Sequence, residues 1–177
     1  MPTTRKIFKN ALSNAINENG FTILFEGEDD YYLVQKDVES ETISMQLILP
    51  DKVEISKQSD DQNDITSMNY LNLHVPIGEK YPDFFILALD NAGANRPEFI
   101  IIPFIPLYEK LFYLGIALVR KVCLSFIVYS DGKAFNITSL SYEGRWFLLG
   151  KGLRGRMADG SVFDFSGWLN NWNVLSQ

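Results

Sequence analysis

Two stretches, "DFFILAL" (83–89) and "EFIII" (98–102), are apolar without interruption after their leading acid. A strand with one wet face alternates apolar and polar residues. A strand with no break in the pattern must be covered on both faces. The link "DNAGANRP" between them is turn chemistry, rich in Asn, Gly and Pro. The pair therefore predicts the middle of a sheet, and the fold class that follows is mixed α/β: a central mixed β-sheet flanked by helices. With 177 residues and no linker long enough to divide it, the chain reads as a single globular domain, 1–177.

The flanking segments supply the other elements. In "TRKIFKNALSNAINENG", Ile7, Phe8, Ala11, Leu12, Ala15 and Ile16 form one stripe of an amphipathic helix, and Asn19-Gly20 stops it. "FTILFE", "YYLVQK" and "TISMQLIL" read as strands separated by acidic or Ser-containing turns, and "NYLNLHV" as another. "SKQSDDQND" is a polar surface loop. "PLYEKLFYLG" puts Leu107, Leu111 and Leu114 on one side of a helix, and "VCLSFIVYSDGKAFNI" is a hairpin with Asp131-Gly132 in its turn. Near the end, Trp168 and Trp172 stand four apart, the spacing of one helical face, where they serve either the core or an aromatic platform.

Composition excludes several chemistries. His74 is the only histidine and Cys123 the only cysteine, so one chain cannot assemble a zinc site from several such ligands. No G-x-S-x-G turn accompanies His74, which argues against Ser-His-Asp catalysis. Cys123, inside "VCLSFIVY", is expected to be a small buried apolar group. The N-terminus has Arg5, Lys6 and Lys9 but no unbroken apolar run, and no charge-free stretch approaches the ~20 residues of a membrane span. A soluble, cytoplasmic protein is expected.

Charge is unevenly placed. The net value is −6, yet residues 26–64 hold 12 acids against 3 bases, while residues 103–156 hold 3 acids against 8 bases. The two halves either neutralise one another in the fold or face outward, the acidic segment toward a basic protein and the basic C-terminal half toward nucleic acid. Arg145, Lys151, Arg154 and Arg156 cluster along "RWFLLGKGLRGR", where they are candidates for holding phosphates or an acidic partner. Gly150, Gly152 and Gly155 imitate a dinucleotide fingerprint, but no βαβ unit follows them.

A helix, a run of strands, then "PDFFILAL…EFIIIPF" and a closing "WLNNW" resemble compact members of the restriction-endonuclease-like PD-(D/E)xK superfamily. That resemblance implies a Mg²⁺-dependent phosphodiesterase, in which two carboxylates hold the metal and a lysine helps position the attacking water. In one register Asp83 and Glu98 are the metal ligands and Ile100 stands where the lysine belongs. In the other, Asp37 or Glu39 is the first acid, and "MQLIL" replaces the acid-x-lysine strand with Gln46 and Ile48. Either way an isoleucine occupies the cationic position, unless Lys36, Lys52 or Lys57, beside Glu54, reaches the site from elsewhere. Asp83 and Glu98 each adjoin a proline at a strand start, where an acid equally serves as a turn residue.

The resemblance implies a divergent, catalytically impaired nuclease-like domain, acting in nucleic-acid binding or a defence-related context. The residues also admit a second reading: an immunity- or inhibitor-type interaction protein that sets its acidic face, including Glu26, Glu28, Asp29 and Asp30, against a basic partner. The oligomeric state is open, a homo-oligomer included.

Overall fold

A computed structural model describes residues 4–55, 65–74, 81–91, 96–113, 121–129, 133–138 and 164–176. Helix α1 (Thr4–Glu18) is followed by β1 (Thr22–Glu26), β2 (Tyr31–Gln35), β3 (Ile43–Ile48), β4 (Pro50–Ile55) and β5 (Ile65–His74). Then come β6 (Phe84–Asn91), β7 (Arg96–Pro103), α2 (Phe104–Tyr113), β8 (Lys121–Tyr129) and β9 (Ala134–Asn136). Two short 3₁₀ turns, Ser166–Trp168 and Trp172–Ser176, end the chain.

The strands form two sheets, ordered β1-β2-β3-β6-β7 and β4-β5-β8-β9. In the first, β3 and β6 run parallel and every other neighbour is antiparallel. Parallel neighbours need a crossover, usually a helix. Here the β4–β5 hairpin lies on that crossover path and belongs to the second sheet. The fold is thus mixed α/β as expected, but one face of the first sheet is covered by a second sheet and α2 instead of by helices alone.

The burial pattern follows from this stacking. Ile86, Ala88, Phe99 and Ile101 meet α1, while Phe85, Leu87, Leu89, Ile100 and Ile102 meet the second sheet. That is why β6 and β7 have no polar alternation. In β5, Leu71 and Leu73 point inward and Tyr70 and Asn72 are only partly buried, as suits an outer layer. The helix α1 buries Phe8, Leu12 and Ile16, one residue per turn of its stripe. It ends where Gly20, at φ +81°, lets the Phe21 N–H reach the Ile16 carbonyl (3.1 Å) and its own N–H reach that of Asn17 (3.0 Å).

The acidic β1–β2 turn is tied back to α1. Arg5 donates to Asp30 at 2.8 Å, and Lys9 lies 2.7 Å from Glu26 and 3.0 Å from Asp30. Asp29 and Asp30 adopt positive φ (55° and 60°), a conformation that aspartate tolerates better than most side chains. Beneath them the fully buried Tyr32 phenol is pushed up to about 12, first by burial and then by the charge of Glu26. The hydrogen bond from Lys9 to Glu26 likewise raises the lysine above its ordinary value.

Both shifts act in the alkaline range. Unfolded tyrosine ionises near 10.0 while the folded phenol keeps its proton, so the unfolded state binds fewer protons and stability falls as pH rises from there to about 12. A two-unit shift corresponds to about 2–3 kcal/mol. Urea melts between those pH values should show that loss in the native protein. Tyr32→Phe should remove most of the slope, and an unchanged slope would sink the assignment.

Candidate functional site

The predicted site residues Asp37, Glu39, Gln46, Asp83 and Glu98 occupy four different places. Asp83 precedes β6, and its Oδ2 accepts hydrogen bonds from the Ser44 N–H (2.8 Å) and Oγ–H (2.7 Å). The Asp83 N–H in turn donates to Ser44 Oγ at 2.9 Å, so this carboxylate clamps the start of β6 to the start of β3. Glu98 lies at the other end of the β6–β7 hairpin. Phe84 faces Pro103 there, whereas Glu98 faces Leu89. At about 3.3 Å per residue the two carboxylates stand about 20 Å apart, far beyond sharing a metal ion. Glu98 is 6% exposed and accepts from Asn91 Nδ2 at 2.9 Å.

The second register is no more convergent. Asp37 is exposed in the β2–β3 turn, where its Oδ1 accepts from the N–H groups of Glu39 (3.1 Å) and Ser40 (2.9 Å). The hydrogen bonding to Ser40 holds its carboxyl below the usual range. Glu39 is exposed in the same turn. Gln46 sits within β3, opposite Tyr31 and beside Phe85, about 10 Å along the strand from the turn. Ile48 and Ile100 are both buried between the sheets. Among the described residues, no group of three or more His, Cys, Asp or Glu could hold a metal ion.

The proposed substitute lysines have other partners. Lys36 donates to Ser176 at 3.2 Å, and Lys52 pairs with Glu54 on the outer face of β4. Lys57, Asp131-Gly132, Leu114, the fingerprint glycines and the set Arg145, Lys151, Arg154 and Arg156 lie outside the described residues. Cys123 is exposed, not buried, because its position on β8 points away from the first sheet; its thiol lies 2.8 Å from Asn72 Oδ1. Trp172 is buried edge-on against Phe99, and Trp168 packs against both cores. The two indoles lie on separate 3₁₀ turns, not on one helix.

Polar groups also join the two sheets internally. Asn69, fully buried on β5, accepts from the Asp90 N–H at 2.7 Å and donates to its carbonyl at 3.1 Å, and Ser67 donates to the same carbonyl. This side chain imitates strand pairing where no strand is present, satisfying main-chain groups of β6. Burial raises the neighbouring Asp90 carboxyl above its ordinary value.

Among the described residues, the exposed large apolar side chains gather mainly on and beside α2, a place the sequence did not single out. Beside the Asp83 clamp, Tyr81 stacks on Phe104 with centroids 4.2 Å apart. From there Tyr108 follows at 6.3 Å, Phe112 at 6.5 Å and Tyr113 at 6.0 Å, along the outer side of α2. Phe112 and Tyr113 are 66% and 71% exposed, and Ile105 65%. The signal was present as a second stripe: Phe104, Tyr108 and Phe112 recur every four residues, on a different face from the buried Leu107 and Leu111. Contiguous exposed aromatic surface of this kind marks interaction sites more often than solvent-facing surface.

No helix among the described residues is long and apolar enough to cross a membrane. Comparison of the chain with known protein families, with curated proteins and with solved structures finds no match.

Proposed function

We propose that this protein is a nuclease-like scaffold that acts by binding and does not hydrolyse nucleic acid, with the aromatic face of α2 as its contact surface for a protein partner. The observation that carries the reading is the engagement of the would-be catalytic groups in folding. Asp83 clamps two strands, Asp37 caps its own turn, Glu98 bonds Asn91, and Ile48 and Ile100 fill the core. A protein partner is favoured by the net charge of −6 and by Glu109 on α2, both of which repel phosphate. Exposed Tyr and Phe side chains give rigid anchors for such a contact. A partner of basic character would match the exposed acids Glu28, Asp29, Glu39, Glu41, Asp51 and Glu54.

The aromatic row also favours a second reading, in which its rings stack on unpaired bases. Mg²⁺ would then be dispensable, and Arg145, Lys151, Arg154 and Arg156 would hold the phosphates.

A photo-cross-linking residue at position 112 is expected to trap one discrete protein, and the same residue at exposed position 39 to trap none. Single- and double-stranded DNA and RNA should stay intact with Mg²⁺ or Mn²⁺. Salt-sensitive retention on single-stranded DNA, lost when Arg154 and Arg156 become alanine, would replace the protein reading with the nucleic-acid one. Metal-dependent cleavage would end both. Tyr108→Ser and Phe112→Ser should change stability by less than about 0.5 kcal/mol, because neither ring is buried.

A further inference from the structure

The aromatic face of α2 has a period. Phe104, Tyr108 and Phe112 succeed one another at 6.3 and 6.5 Å between ring centroids, their planes turned by only 33° and 18°. Tyr81 extends the row beyond Phe104, and Tyr113 closes it edge-on. The rings thus recur at about the rise of one helical turn and a little more, ~6 Å. A second helix lying along α2 brings one side chain per turn at the same interval, as when the ridges of one helix enter the grooves of another. A polyproline segment repeats every ~9 Å and falls out of step. An extended strand, at ~6.7 Å per two residues, is closer in step, but the main chain of α2 is bonded within the helix and offers it no partner. A strand laid there buries its own unpaired N–H and C=O groups, whereas a helix satisfies them internally.

The charge on this face has one sign. α2 carries Glu109 and Lys110. Lys110 turns inward, donating to the Asp164 carbonyl at 2.7 Å and lying 5.0 Å from the centre of the Phe165 ring, while Glu109 is exposed. One helical turn separates Glu109 from Ile105 and from Tyr113, so a cation paired with it rests beside exposed apolar surface. A second acid stands at the Tyr81 end of the row. The Asp83 clamp ties Ser44 to the segment that carries Tyr81, and the exposed Glu41 precedes Ser44 by three residues, about 10 Å of chain at most.

We propose that the row receives an amphipathic helix of a protein partner, with apolar side chains seated one per turn along the rings and Arg or Lys side chains paired with Glu109 and Glu41. This rests on the reading of α2 as a contact surface and names what occupies it. Helix-on-helix docking of this kind reads apolar anchors at one face of the partner, and the flanking charges set its direction. The same acids repel a nucleic-acid backbone or an anionic lipid surface. They also disfavour α2 of a second copy, whose outward charge is again Glu109.

The probe is a synthetic peptide of about five helical turns, with Leu on one face, Arg beside it and Ala elsewhere. Fluorescence anisotropy with the full chain is expected to show binding at low salt. A scramble of the same composition should bind about tenfold weaker or worse, and so should the patterned peptide with Glu in place of Arg. Phe112→Ser should weaken the Arg peptide about tenfold. Glu109→Lys, at an exposed position, should weaken the Arg peptide about threefold and strengthen the Glu peptide as much. No binding, a scramble as tight as the patterned peptide, or affinities that ignore the charge at position 109 each overturn the proposal. So does a dimer of this chain that Phe112→Ser dissolves, since a second copy then fills the row. Cross-linking from position 112 distinguishes the two failures: adducts on the partner outside a helix overturn the helix alone, and no trapped protein removes the contact surface as well.

Discussion

Ile100→Lys should unfold the protein instead of completing a nuclease. The substitution restores the residue type absent from the Asp83–Glu98 register, so a latent active site ought to gain activity from it. Ile100, however, is fully buried between β7 and the second sheet, in a cluster with Phe85, Leu87 and Phe126. An ammonium placed there loses its hydration without gaining a partner, and the packing of the isoleucine is lost as well. Together these cost about 5 kcal/mol or more, comparable to the whole stability of many domains. Ile48→Lys should cost less, because that residue retains 6% exposure and an ammonium has a shorter path to water. Denaturant melts of both variants, with DNA cleavage assayed in Mg²⁺, decide the matter. A stably folded Ile100→Lys protein that cuts DNA would mean that the chain holds a latent nuclease site and would overturn the binding-only role.

Asp83→Ala should cost about 2–4 kcal/mol, a large effect for a side chain at the surface. The carboxylate accepts two charge-assisted hydrogen bonds from Ser44, which is 4% exposed, and truncation leaves a main-chain N–H and a hydroxyl without those bonds in a dry place. Asp83→Asn should cost less, since its amide oxygen still accepts. Ser44→Ala should remove part of the same energy, and the double variant should fall short of the sum by 1 kcal/mol or more. The clamp also predicts that Mg²⁺ leaves the wild-type melting midpoint unmoved. A midpoint that climbs with Mg²⁺ and does so only when Asp83 is intact would make the residue a metal ligand after all.

These two residues show where reading along the chain succeeds and where it stops. The runs around Ile86 and Ile101 were recognisable as doubly covered strands because burial on both faces erases alternation, and that erasure is local. The fate of Asp83 was not recognisable. A proline followed by an acid at a strand start suits a metal ligand and a clamp equally, and the difference lies in Ser44, 39 residues earlier. Likewise the acids Glu26 and Asp30 read as an open acidic turn until Arg5 and Lys9 are found against them. Cys123 lies in an apolar run yet is exposed, because Val122, Leu124, Phe126 and Val128 are the residues of β8 that turn to the first sheet and Cys123 alternates with them.

Local pattern alone determined that this chain forms an amphipathic first helix, a set of strands and two central strands hidden on both faces, because periodicity records which sides of an element avoid water. It also ruled out multi-histidine and multi-cysteine chemistry by simple shortage of ligands. Tertiary structure decided what hides those faces: a second sheet, entered through the β4–β5 hairpin, where a helix was expected. It decided as well that Asp83 and Glu98 stand at opposite ends of a hairpin and that α2 shows a row of rings to the outside. Those facts depend on which distant segments meet, and the free energy of such meetings is not written in any one stretch of residues.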